Sequence, residues 1–559
     1  MWSGRSWAVM TKTLMIRPNK RIAIISAVFA VLFAISMILG CNADRNGGIK
    51  ARDPVPWIAG LLSFVIALTV MYVFLIRTSS RTEAKPVGYV RTKMQPAALI
   101  RDWAVMLVCW MPVFLAEYPG FFVYDAIDEY TAVATRHFTT HHPLLHTLAL
   151  GGFVRAGEVF LGSANAGIAI FILAQMCLLS LMFAWVISGM KRFRLFAVLW
   201  YALFPTVVMF ALCSVKDTMF AAAMTVAAIL TVRVLSNTDV RSDRICLAAA
   251  LLLMMLLRHN AVYAYIIYAC VMGGFLAATR SGETVKRISP ALVLAALLII
   301  YGIVDAALTY ACNAEDHEHQ EMLTVPIQQL ARTWSVYADE FSSEELETLY
   351  EILPEDSLRH YTPELSDPVK IGFDNDAYEL DPARYRRLWF ELFKRHPLSY
   401  INAWLDTSYG YYYPYAVVNV YQGHQAFTFT YTDSSYFGYE VEYPGERHSL
   451  IPVIDRFYRW LSLDDDIQRI PVVARFFSMG AMFWVYAFGT AVFIYRRQWP
   501  YLIACILPLS VWATLLAGPT FLPRYTVFWW FMLPYLIYCI GALASDQDST
   551  DNKEERALS

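Results

Sequence analysis

The feature that most constrains this chain is its succession of apolar runs. They lie near 22–40, 57–76, 101–117, 166–189, 195–212, 218–235, 245–257, 261–278, 289–310, 474–495, 499–517 and 525–543. Crossing ~30 Å of hydrocarbon takes roughly 20 apolar residues as helix, fewer where the protein is locally thin. Composition agrees: 57% of the 559 residues are hydrophobic and 16% charged, which soluble globular chains rarely show. The expected fold is an all-α polytopic membrane protein of about 12 transmembrane helices. Arg5, Lys12, Arg17, Lys20 and Arg21 precede the first run, which is long for a signal-peptide core and lacks a small-residue cleavage site. It reads as a retained span.

Basic residues collect on the cytoplasmic side of membrane proteins. Arg77, Arg81, Lys85, Arg91, Lys93 and Arg101 crowd one loop, and Lys191, Arg192 and Arg194 another. Arg241 with Arg244, Arg280 with Lys286 and Arg287, and Arg496 with Arg497 continue the series. All of them fall inside if residues 143–162 do not cross and lie instead as a helix along the outer interface. Both termini are then cytoplasmic, and the acidic tail DQDSTDNKEER reads as disordered.

This orientation puts the polar motifs on one face. Residues 118–146, YPGFFVYDAIDEYTAVATRHFTTHHPLLH, concentrate Asp125, Asp128, Glu129, His137, His141, His142 and His146. The short connection CSVKD brings Lys216 and Asp217 to the same side, and PTFLPRY brings Arg524. Runs 245–257 and 261–278 are short; a 13-residue helix spans only ~20 Å. Their apex, Arg258, His259 and Asn260, is therefore expected to line an outward cavity, where a charge is tolerable within the protein.

The expected divisions are 1–100, a two-span addition and basic loop; 101–310, the membrane core with an active loop at 118–162; 311–473, a large extracytoplasmic α-rich insert; 474–544, the last spans; and 545–559, the tail. Within the insert, Ser342 and Glu345 form a capping box ahead of the stripe Leu346, Leu349, Tyr350, Leu353. RYRRLWFELFKRHPLSYINAWL is a basic-aromatic helical pattern suited to the bilayer surface. Tyr409, Tyr411, Tyr412, Tyr413, Tyr415, Tyr421 and Tyr431 suit either an interfacial belt or a sugar-stacking platform.

Group transfer on the outer face cannot draw on nucleotide sugars and needs a donor delivered through the membrane, such as a sugar on polyprenyl phosphate. The chemistry requires a carboxylate to deprotonate the acceptor hydroxyl and cations to hold the phosphate. Asp125 is the base expected from the residues, with Asp128 and Glu129 behind it. Lys216, Arg258 and Arg524 are the phosphate-side cations. The bland readings are a solvated loop acid, a Lys216–Asp217 ion pair, a snorkelling Arg258 and an interfacial Arg524. His141 and His142 either contact substrate or cap the helix beginning at Pro143.

The ordered motifs YPGFFVYD, HHPLLHT, SVKD, LRHNAVY, VPIQQLAR and PRY, from about 112 to 530, resemble an uncharacterised family of bacterial multi-pass proteins. That family is similar in organisation to the GT-C glycosyltransferases, which use polyprenyl-phosphate donors. The resemblance implies a GT-C-like fold with the catalytic aspartate at Asp125 and a second acidic residue at Asp217, beside Lys216. It also singles out Gln328, Gln329 and Arg332; Gln328 and Arg332 share a helical face suited to sugar hydroxyls, phosphate, or packing of the insert. His259 departs from the pattern at LRHNA, where a second asparagine is expected.

The expected function is transfer of a sugar from a polyprenyl-phosphate donor to a cell-envelope glycan or protein acceptor on the extracytoplasmic face. Alternatives are a lipid-linked glycan transporter or flippase, which favours charges midway along spans and repeated halves, and a surface-polysaccharide polymerase or ligase using a diphosphate donor. No cofactor or resident metal is expected, although a diphosphate donor more often needs a divalent cation. Nine scattered cysteines without CxxC spacing suggest neither a disulfide framework nor zinc. Membrane lipids are expected partners and nucleic acid is not.

Overall fold

The computed structural model describes residues 20–79, 95–236, 238, 240–279, 284–315, 319–421 and 435–545. Among them there is no strand, only three isolated bridges. The basic residues at 81–93, Arg280, Tyr431 and the acidic tail lie outside the described residues.

Among the described residues, twelve helices precede the insert: α1 (Lys20–Asn46), α2 (Pro54–Ser79), α3 (Pro96–Ala116), α4 (Ala126–Thr135), α5 (Leu144–Leu161), α6 (Ala164–Ser188), α7 (Arg194–Leu203), α8 (Pro205–Ala211), α9 (Lys216–Leu235), α10 (Arg241–Leu257), α11 (Ala261–Thr279) and α12 (Thr284–Cys312). The principal insert helices are α13 (Thr324–Tyr337), α14 (Ser343–Ile352), α15 (Asp367–Lys370), α16 (Pro382–Arg395), α17 (Pro397–Ser408) and α18 (Pro452–Leu463). α19 (Met479–Arg496), α20 (Trp499–Leu515) and α21 (Phe528–Ser545) follow.

Nine described helical segments are long and apolar enough to cross a bilayer, or ten if α7 and α8, bent by 57° at Phe204, form one broken span. The break has a local cause: Pro205 has no amide hydrogen to continue the ladder, and it disfavours helical geometry at Phe204, whose ψ is 121°. α5, expected along the interface, meets the same length and hydropathy criteria, whereas α10, α19 and α20 do not. The chain is thus a multi-pass helical membrane protein. α9 is its central helix, buried nearly all round, while α2 and α12 leave Leu61, Ile66, Leu292 and Ile303 exposed, as a lipid-facing surface would.

The insert divides. Its first half has its own apolar core, in which Ile327 and Leu330 of α13 meet Leu349 and Ile352 of α14 and Leu388 and Leu392 of α16. The capping box forms, with the Glu345 amide donating to Ser342 Oγ (3.2 Å) and the Ser342 amide to Glu345 Oε2 (2.9 Å). The basic-aromatic stretch breaks into α16 and α17 at His396, and the stripe Tyr385, Leu388 and Leu392 faces the insert core. Phe390, Leu398 and Ile401 keep large exposed surfaces. The second half of the insert joins the membrane core: Tyr409, Tyr411, Tyr412, Tyr413, Tyr436 and Tyr439 are buried there.

Candidate active site

The site is assembled by a one-residue backbone splice between two loops. After α3 the chain turns at Pro119–Gly120, where the Gly120 amide donates to Glu117 O (2.7 Å). Gly120 has φ +119°, and a Cβ there would meet Ile172 Cγ1 at 2.8 Å and Leu212 O at 3.1 Å. Only glycine suits that backbone and that closeness. The Phe121 amide then donates to Leu212 O (2.9 Å), and Phe121 O accepts from the Ser214 amide (3.0 Å). From α6, the buried Gln175 amide donates to Ala211 O (3.1 Å) and Cys213 O (2.7 Å). These bonds satisfy loop backbone that water does not reach and fix the loop carrying Asp125 against the start of α9, which carries Lys216.

Tyr124, at φ +63°, makes the final turn into α4. A left-handed tyrosine is uncommon, and such strain persists only where neighbours enforce it. Here the Gly438 amide donates to Tyr124 Oη (2.7 Å), and the Arg524 guanidinium lies 4.6 Å over the Tyr124 ring. Asp125 follows at the N-cap position of α4.

Asp125 lies between two cations from distant segments. Lys216 Nζ donates to Oδ2 (2.5 Å) and Arg524 Nη1 to Oδ1 (2.9 Å). The carboxylate side chain remains 21% exposed, against 13% for Lys216 and 8% for Arg524, so it can be reached from the cavity. Burial pushes the Asp125 carboxyl up, but Arg524, Lys216 and His142 outweigh it and hold it well below the usual carboxylate range. Lys216 Nζ is also 3.2 Å from His142 Nδ1. His142 Nε2 lies 3.8 Å from Asp128 Oδ2. Asp128 is 66% exposed at the rim.

Around this centre opens a cavity of about 750 Å³. Arg258 lines it, with Nη1 2.8 Å from Asp217 Oδ1 in an ion pair that lacks hydrogen-bond alignment. The Arg258 guanidinium lies 5.0 Å from the Tyr525 ring. Asp217 is buried and does not line the cavity. Asn260 Nδ2 donates to Thr514 Oγ1 (2.8 Å), joining the α10–α11 turn to the end of α20. Glu129 reaches the lining and pairs behind it with buried His146 at 2.5 Å. His141 Nδ1 is 3.8 Å from Glu321 Oε1.

The residues picked out from the sequence therefore separate. Asp125, Asp128, Lys216, Arg258, Asn260, His141, His142 and Arg524 line one cavity. Gln328, Gln329 and Arg332 do not reach it. Gln328 Nε2 donates to Thr362 O (2.6 Å), and Gln329 bonds Tyr400 O (3.3 Å) and the Trp389 indole (3.0 Å). Arg332 pairs with Asp406 (2.5 Å) and donates to Gly47 O (2.6 Å), in the α1–α2 loop. Their shared helical face packs the insert. Of the tyrosine series, Tyr411 and Tyr421 line the cavity.

Sequence reasoning missed one charged part of the lining. There Lys370 of α15 lies 2.8 Å from Glu321 and 2.9 Å from Asp367. The acid- and histidine-rich stretch 315–321 was a signal for Glu321; α15 had none. Among the described residues, the only cluster of three ligand-type side chains compact enough for a metal is Asp464, Asp465 and Asp466, which does not line the cavity.

Fold and site together define a multi-pass helical membrane protein with a half-buried, charge-paired carboxylate on the wall of an open cavity. A family of unknown function, DUF6020, matches residues 117–555, and the chain belongs to that family. No curated protein and no solved structure matches the chain.

Proposed function

We propose that the protein is a GT-C-like membrane glycosyltransferase. It moves a sugar from a polyprenyl-phosphate donor to a cell-envelope acceptor, with its cavity on the extracytoplasmic face and both termini in the cytoplasm. The observation that carries this reading is the pairing of Asp125 with Lys216 and Arg524 on the wall of a cavity of small-molecule size. A base and two phosphate-side cations are the minimum that the reaction requires of a protein.

In the reaction, the acceptor hydroxyl gives its proton to an Asp125 oxygen while its own oxygen bonds to the anomeric carbon of the sugar. The bond from that carbon to the phosphate oxygen breaks, and its electron pair stays on the phosphate. The new negative charge faces Lys216 and Arg524, which stabilise it electrostatically. Tyr421, in the cavity lining and only half-buried, supplies a ring face for the sugar. Arg258 and Lys370, further cations in the lining, favour a second version of the same chemistry in which the donor is diphosphate-linked.

The test offers purified protein a panel of mono- and diphosphate-linked polyprenyl sugars with envelope extract as acceptor and measures released lipid phosphate. Release from a monophosphate donor is expected. Release from diphosphate donors alone selects the second version, and movement of intact donor across a vesicle bilayer without release overturns both.

A further inference from the structure

The cations that suit a donor phosphate are not free to receive one. Lys216 is bound to one oxygen of Asp125 and Arg524 to the other. The base is compromised by the same contacts, since a carboxylate neutralised by two close cations has little proton affinity. The remaining charged groups do not relieve this. Arg258 is engaged with Asp217 and Lys370 with Glu321 and Asp367; His142 contacts Lys216; Asp128 sits at the rim and Glu129 is paired with His146. Arg524 is further held by stacking at 4.6 Å on Tyr124 and 4.7 Å on Tyr525, so it can exchange anions without moving far.

Resting on the function proposed above, we infer that Asp125, Lys216 and Arg524 form an anion-operated latch. The donor phosphate takes both cations from Asp125, and only the carboxylate so released acts as base. Donor must then bind before an acceptor can be deprotonated. After transfer, departure of the lipid phosphate returns both cations to Asp125, which lowers its proton affinity and sends the captured proton to solvent. A site without donor has no active base, which guards the carboxylate against unproductive proton exchange with bound acceptor.

The latch has a consequence that base catalysis alone lacks. Asp125 competes with phosphate for the same two cations, so removing its charge should tighten phosphate binding. The experiment measures binding of a sugar-free lipid monophosphate, farnesyl phosphate, to purified full-length protein and to Asp125→Asn. Each charge-assisted hydrogen bond contributes enough that at least about tenfold tighter binding by the variant is expected. Equal or weaker binding by Asp125→Asn overturns the latch, even if the same variant has lost transfer and the proposed function stands. No binding by either protein overturns the anion site itself.

Asp125→Asn leaves two buried cations unpaired and is expected to be fragile without ligand. The variant is therefore also prepared with farnesyl phosphate present throughout. Recovery of folded protein only with the lipid phosphate supports the latch, because the phosphate replaces the missing counter-charge. A variant that farnesyl phosphate does not rescue contradicts it.

Discussion

Arg332→Met separates a structural arginine from a ligand-binding one. Arg332 is 13% exposed and its partner Asp406 only 2%. The guanidinium also donates to Tyr361 Oη (3.1 Å) and Gly47 O (2.6 Å). Methionine keeps much of the side-chain bulk but leaves the Asp406 carboxylate buried without a cation. Breaking one side of a buried pair costs about 3–5 kcal/mol. The loss has a defined pH dependence. Burial already raises the Asp406 carboxyl to about 7, with Arg332 opposing, and removing Arg332 raises it further. Protonation therefore relieves the lone carboxyl at low pH, and the loss should be smaller at pH 6 than at pH 8. Unfolding in detergent, followed by circular dichroism, reads both quantities. Arg332→Met with Asp406→Leu should recover most of the stability, as apolar replacement of a buried pair often does. A loss below about 1 kcal/mol together with weakened farnesyl phosphate binding would refute the packing role and return Arg332 to the ligand.

Two further outcomes follow from the geometry. Gly120→Ala places a Cβ 2.8 Å from Ile172 in a backbone conformation closed to alanine; about 1–3 kcal/mol of stability should be lost, and activity should fall further than a thermal melt alone predicts, because the Phe121 splice positions Asp125. Glu117, buried beside Arg447 at the end of α3, has its carboxyl raised to about 7 by burial, with Arg447 opposing. A folded-state value above the unfolded one means that its contribution is greatest below the ordinary glutamate range and is lost as pH rises through 7. Glu117→Gln should flatten that decline in unfolding measurements between pH 5 and 8.

The clustering of the polar loops was legible because basic-loop bias, with residues 143–162 kept from crossing, gives 118–146, CSVKD, the α10–α11 turn and PTFLPRY an expected common side. Asp125, Lys216, Arg258 and Arg524 do meet. The capping box at Ser342 was legible because its whole mechanism fits in four residues. Helical spacing, by contrast, says which residues share a face and not what that face meets. Gln328 and Arg332 share a face that packs the insert, and the stripe on α16 covers the insert core where a bilayer was expected. The Phe121–Cys213 bridge is a pairing of one residue, too short to leave a pattern. Lys370 pairs locally with Asp367, three residues before it, but its other partner, Glu321, comes from a separate segment, so the sequence does not place it in the site.

Asp125 is the base of the proposed sugar transfer, and its loss gives the most direct test. Membranes containing equal amounts of wild type or Asp125→Asn are given radiolabelled polyprenyl-phosphate hexose, and label in the envelope acceptor is counted. Transfer by the wild type and its loss in the variant, with the variant still binding farnesyl phosphate, is the predicted result. Equal transfer by both proteins would contradict it.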